Sequence, residues 1–162
     1  MAEERLTEDL LERLLAAETP EAYLDEGGTL DRQLPEYLDE LRREHGDIKK
    51  AQVIRNCRLN STFVYDIFSG KSRPGRDTAI MLAFGIGCGL RECQRLLRLA
   101  GVAELWPKVR RDAIIIWCLN HGLSMSECDD ELWRLRERTL SGTGPLKNEG
   151  TRRAPQAAGA GS

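Results

Sequence analysis

Apolar residues in this chain recur at spacings of three and four, and nowhere alternate with polar ones at period two over a useful length. A side chain returns to the same helix face every three or four residues, whereas along a strand every second residue does so. The pattern therefore predicts an all-α fold. A length of 162 residues suits one ordinary domain, or a small domain with helical extensions. The longest apolar run, residues 113–119 (AIIIWCL), falls well short of a bilayer span and suits a buried helix, so no membrane partner is expected. The opening MAEERLTEDL is acidic where an export signal carries positive charge. Cys57, Cys88, Cys93, Cys118 and Cys128 form no CxxC pair and lie mostly in apolar patterns. They read as reduced core thiols of a cytoplasmic protein, not as a disulfide or zinc framework.

Local punctuation divides the pattern into elements. Leu6, Leu10, Leu11, Leu14 and Leu15 form one stripe, with Thr7 as the expected N-cap and a Leu6–Leu11 staple. Thr19-Pro20 starts a second short helix that Gly27-Gly28 ends. A third follows Pro35, turns Tyr37, Leu38 and Leu41 inward, and stops at Gly46. A fourth carries Ile48, Ala51, Val53 and Ile54 towards Cys57. The stretch NSTFVYDIFSGKSRP (60–74) is the fifth: Asn60 caps it, Val64 and Ile67 share a face, and Gly70-Lys71 ends it. Residues 76–87 read as a buried helix, and 90–100 as an amphipathic one with Leu90, Cys93, Leu96 and Leu97 inward. Beyond a connector marked by Pro107, residues 111–120 form the apolar arm of a helical hairpin. Ser124 and Glu127 box the start of its second arm, where Met125, Cys128, Leu132 and Leu135 make a narrow seam. Residues 141–162, rich in Gly, Ala and Pro, are expected to be disordered.

The net charge of −2 conceals an asymmetry. Residues 1–41 carry 3 basic and 13 acidic side chains, residues 42–111 carry 15 and 6, and residues 112–162 carry 6 and 7. A sign change of this kind points to a polyanionic partner, or to neutralisation of the basic block by the acidic arm of the same molecule.

Residues 34–101 read as five consecutive short helices, the second and third joined by a tight turn at Cys57-Arg58-Leu59. With the spacing from Ile48 through Leu59, Val64 and Ile67 to Gly70-Lys71 and Pro74, this segment resembles the DNA-binding domain of the lambda-repressor/Cro-like (XRE) family of helix-turn-helix proteins. The whole chain is also similar to small bacterial helix-turn-helix proteins with a C-terminal RRDAII…LNHGLS hairpin. The resemblance implies a helix-turn-helix domain at 34–101; charge, helical spacing and composition set beside it an acidic helical arm at 1–33, a hairpin at 102–140 and a tail at 141–162. It implies that Ser61, Thr62, Phe63, Tyr65 and Asp66 read base edges, with Phe63 available to a thymine methyl. It implies that Lys49, Lys50, Lys71, Ser72 and Arg73 hold phosphates, while Val64 and Ile67 anchor the helix. The family commonly has glycine where this chain has Arg58, because the backbone there tends to positive φ. The reading face departs from the strongest recognition chemistry in carrying no Arg, Gln or Asn.

Physics asks that a groove-entering helix be slim on its exposed face and flanked by positive charge. Lys49, Lys50, Arg55, Arg58, Lys71, Arg73 and Arg76 supply that flank in sequence. No phosphate loop, metal-ligand spacing or catalytic carboxylate pair is visible, so an enzyme, a cofactor, a metal and a small-molecule ligand are not expected. Cys118 and His121, three apart, read as a packing thiol and a helix-end cation. Asp129-Asp130-Glu131 reads as a solvated face, and Trp106, Trp117 and Trp133 as core or interface residues of the hairpin. The expectation is sequence-specific binding of double-stranded DNA through a recognition helix at 60–68, as in a bacterial transcriptional regulator, with the 110–138 hairpin forming a homodimer. The alternative is a helix-turn-helix-fold protein-interaction module that does not bind DNA.

Overall fold

The computed structural model describes residues 2–26 and 30–142, and every regular element among them is a helix. None of these helices is long and apolar enough to cross a membrane. At the N-terminus, α1 (Ala2–Ala16) packs on α2 (Pro20–Leu24). Thr19 caps α2 as expected, its Oγ1 accepting from the Ala22 N–H at 3.2 Å. Thr7, however, lies inside α1 and not at its cap. A capping preference worth about 1 kcal/mol yields to the preceding run of good helix formers, AEER. Leu11, Leu14 and Leu15 of α1 and Leu24 of α2 remain exposed. The expected stop at Gly27-Gly28 and the expected disorder beyond Gly142 fall outside the described residues.

The third helix also begins earlier than its sequence signal: α3 spans Leu30–Glu44 with Pro35 inside it. Proline forfeits one backbone hydrogen bond there. The buried face built from Leu34, Tyr37, Leu38 and Leu41 offsets that loss. Four short helices follow: α4 (Lys50–Cys57), α5 (Ser61–Ser69), α6 (Arg76–Ile86) and α7 (Leu90–Leu99). The middle of the molecule is α6, buried at every residue from Ala79 to Ile86 and packed on both α4 and α7. A helix apolar all round has no solvent face to offer. Gly85 lets α4 approach closely: a Cβ at that position would sit 2.9 Å from the Val53 carbonyl oxygen and 3.0 Å from Cys57 Cβ.

The hairpin consists of α8 (Arg110–Asn120) and α9 (Met125–Arg134), with the Ser124–Glu127 capping box formed as expected. Its apolar residues Ile115, Cys118, Leu119, Met125, Cys128 and Leu132 join the same buried cluster as those of α3–α7. Two identical dipeptides fasten the start of α8 to the start of α6. Arg76 reaches Asp112 through both terminal nitrogens (3.0 and 2.7 Å), and Arg111 reaches Asp77 likewise (3.0 and 3.0 Å). Asp112 also accepts the Trp106 N–H at 3.0 Å. Burial pushes the Asp77 carboxyl up, but the Arg111 and Arg138 guanidiniums more than offset this and hold it below the ordinary carboxylate range.

Asp129 is a correction to the solvated-face expectation. It is buried and accepts from the backbone N–H groups of Leu140 and Ser141 at 2.7 and 3.1 Å, tying the segment after α9 back onto it. The core alternative for the tryptophans also fails: Trp106, Trp117 and Trp133 are 58%, 51% and 55% exposed.

Candidate nucleic-acid interface

The turn between α4 and α5 is short because Arg58 takes the left-handed conformation (φ 62°), as its place in the helix-turn-helix resemblance implied. For a residue with a Cβ this costs about 1 kcal/mol. Asn60 then caps α5, its side chain accepting from the Phe63 N–H at 3.0 Å. At the far end Gly70 closes the helix at φ 88°, and the Asp66 carbonyl accepts the N–H groups of Lys71 (2.8 Å) and Ser72 (3.2 Å). The basic loop is thereby held against the helix end.

Between these two stops, α5 divides cleanly. Val64, Ile67 and Phe68 are buried and fix it to α3 and α4. Ser61, Thr62 and Tyr65 are exposed, while Phe63 and Asp66 are half-buried. Of the five expected base readers, three therefore lie open to solvent and two lie at the margin of the face. Phe63 also packs against the core cluster, so its ring serves partly as scaffold.

The cationic flank is thinner than the sequence implies. Arg76 is a correction: its guanidinium is taken up by Asp112 and by the carbonyls of Ala103 and Glu104. Arg58 donates to Ser126 Oγ on α9 at 3.2 Å, and Arg73 donates to the Ala100 carbonyl at 3.1 Å. Lys50 places Nζ 5.3 Å from the centre of the Phe68 ring, an attraction of order 0.5–1 kcal/mol at a part-exposed site. Arg55 is exposed and donates to Gln52 on its own helix. Lys49 and Lys71 are exposed at the two ends of the pair, and Ser72 is half-buried. Sequence proximity cannot distinguish a cation facing solvent from one engaged by a partner 36 residues away, as Arg76 is.

A second exposed surface lies on the hairpin. Ala113, Ile114, Trp117, Glu131, Arg134 and Leu135 line an open, largely apolar groove of about 310 Å³. His121 stacks on Trp117 at 4.0 Å, while the Cys118 thiol is buried beside Cys128. Metal-ligating atoms converge at another place, among His45, Cys88 and Glu92. Comparison with protein-family models, with curated proteins and with solved structures returned no match.

Proposed function

We propose that this chain binds duplex DNA by seating α5 in the major groove, as a lambda-repressor-like transcriptional regulator in a reducing, cytoplasmic setting. The observation that carries the reading is the composition of the open face of α5. Ser61 and Thr62 are short, exposed and at the N-terminal end, where a recognition helix meets base edges. Tyr65 extends the face by one turn, and Phe63 and Asp66 border it. Asp66 is compatible with a cytosine N4 donor and is repelled by phosphate. Lys49, Lys50 and Lys71, with Arg73 and Ser72 beside them, supply the backbone grip. All five cysteines are free and buried, which accords with a reducing compartment.

A grip resting on about three phosphate contacts per chain gives a log–log salt slope of about 2.7, and of about 5 for two chains. The latter is the expectation, because the open apolar groove between α8 and α9 is where a second copy would seat. Trp117 lines this groove and Trp133 is exposed on α9, while Glu131 and Arg134 at its edge are paired with one another at 2.7 Å. The same exposed tryptophans favour the second reading, a protein-interaction module with no DNA partner. Selection of duplexes from a random pool, followed by a salt titration on the enriched site, separates the two. A palindromic site with a slope near 5 supports the regulator. An unenriched pool and no salt-dependent retention of duplex would refute it. In the regulator, Lys71→Ala weakens all sequences alike, whereas Thr62→Ala shifts the preferred base.

A further inference from the structure

We infer that His45, Cys88 and Glu92 form a binding site for a thiophilic divalent cation of the zinc type. Their ligand atoms (imidazole nitrogen, thiol sulfur and carboxylate oxygen) all lie within 4.8 Å of one another. They come from three separate segments: the end of α3, the α6–α7 turn, and the first turn of α7. Ligands 2.0–2.3 Å from a tetrahedral ion sit about 3.5 Å apart, so an ion would draw in the sulfur and part the imidazole from the carboxylate by a few tenths of an ångström, replacing their hydrogen bond. His45 Nε2 and the Glu92 carboxylate are already 3.0 Å apart.

The backbone holds each ligand before any ion arrives. Gly87 takes the left-handed conformation (φ 97°), turning the chain so that the Cys88 N–H bonds back to the Ala83 carbonyl at 2.9 Å. The Gly89 N–H donates to Glu92 Oε1 at 3.0 Å, which fixes the carboxylate, and Oε2, 3.1 Å from His45 Nε2, is the oxygen that would exchange that contact for the ion. His45 is anchored at the end of α3 by its N–H to the Leu41 carbonyl at 3.0 Å. Cys88 is 6% exposed, while the side chains of His45 and Glu92 are 26% and 31% exposed. An ion thus enters from solvent and meets a buried sulfur at the floor. The fourth tetrahedral position faces outward, where a water completes the shell.

Donor chemistry selects the cation. Carboxylate alone would suit magnesium or calcium, but thiolate and imidazole favour zinc among common ions. On binding, the Cys88 S–H bond breaks, its proton passes to solvent, and the thiolate takes the metal; no electron moves. The ion joins the end of α3 to the α6–α7 turn. It does not involve the open face of α5, so it stands or falls apart from the DNA reading.

Full-length protein stripped with a chelator is titrated with Co(II), read by the sulfur-to-cobalt charge-transfer band, and the bound cobalt is then displaced with Zn(II). One ion per chain and a rise in melting temperature with zinc are expected. Cys88→Ser abolishes the charge-transfer band, and His45→Gln and Glu92→Gln each weaken binding at least tenfold. Cys118→Ser, altering a buried thiol outside the site, leaves binding unchanged. Far-UV helicity of each variant establishes that it is folded. Absence of a band in the folded, stripped wild type overturns the proposal and leaves a plain His45–Glu92 contact beside a packing cysteine. Loss of the band in Cys118→Ser with retention in Cys88→Ser overturns it equally.

Discussion

Asp112→Asn tests how α8 is attached to the helical body. Asp112 is 3% exposed and accepts three hydrogen bonds, two from Arg76 at 3.0 and 2.7 Å and one from the Trp106 N–H at 3.0 Å. Asparagine keeps the shape but removes the charge, and turns an NH2 group towards a guanidinium that can only donate. Breaking one side of a buried ion pair costs about 3–5 kcal/mol. The Arg76 side chain is 27% exposed and recovers part of its hydration, which places the cost near the lower bound, at about 3 kcal/mol. At an m-value of about 2 kcal/mol/M, the urea midpoint falls by about 1.5 M. The double variant Arg76→Gln/Asp112→Asn replaces the pair with two amides and should lose less than the sum of the single losses, by a coupling of about 1.5–3 kcal/mol. Raising salt should leave this coupling nearly unchanged, since a pair largely removed from water is weakly screened. Equilibrium urea unfolding followed by far-UV circular dichroism measures every corner of the cycle. A single-variant loss under about 1 kcal/mol, or additivity within about 0.5 kcal/mol, would show that the pair behaves like an exposed one and that apolar packing alone holds α8.

Asp77→Asn leaves the buried Arg111 without its carboxylate and should also destabilise by about 3 kcal/mol. Because the folded-state Asp77 carboxyl is held below its ordinary range, its contribution is present above pH 4 and is lost as acid protonates it. Acid unfolding from pH 5 downward should therefore be shallower in the variant; an unchanged profile counts against the assignment. Gly85→Ala gains up to about 1 kcal/mol of helix propensity but drives a methyl into the rigid Val53 carbonyl, and the clash should win by about 1–2 kcal/mol. A raised melting temperature would mean that α4 and α6 are not so close. Arg58→Gly relieves a left-handed residue at the expense of one exposed hydrogen bond to Ser126, for a net gain of about 0.5 kcal/mol by urea unfolding. A loss there would mean that the α4–α5 turn does not need positive φ.

What the sequence disclosed was what short-range chemistry decides. The stops at Gly46 and Gly70 both adopt positive φ, because a left-handed residue after a helix is a local requirement that glycine meets at least cost. The caps at Thr19, Asn60 and Ser124 are formed for the same reason: donor and acceptor lie three residues apart. Where local signals competed with longer stretches, they lost. Thr7 was overridden by helix formers before it, and Pro35 by a buried face that runs through it.

The candidate interface was legible in one part and not in the other, and the division is physical. The outward face of α5 follows from helix period alone once Val64 and Ile67 are turned inward, so Ser61, Thr62 and Tyr65 had to emerge on the far side. Charge does not follow from period. Arg58, Arg73 and Arg76 all lie near α5 in sequence, yet their hydrogen-bond partners, Ser126, the Ala100 carbonyl and Asp112, are between 27 and 68 residues distant; Arg58 and Arg73 keep exposed side chains, whereas Arg76 is taken up by a carboxylate. Asp129 follows the same rule: the N–H groups that hold its carboxylate belong to residues 140 and 141. A cation contributes to a polyanion site only if folding leaves its head group facing solvent, and that depends on acceptors supplied by other elements. The consequence for DNA binding is quantitative. Withdrawing Arg76 from the flank removes about 0.9 from the salt slope, so the expected slope for one chain falls below what seven sequence-adjacent cations would give. On the regulator reading, two chains acting together would double the remaining phosphate contacts, which makes the oligomeric state of the α8–α9 hairpin the first quantity to measure.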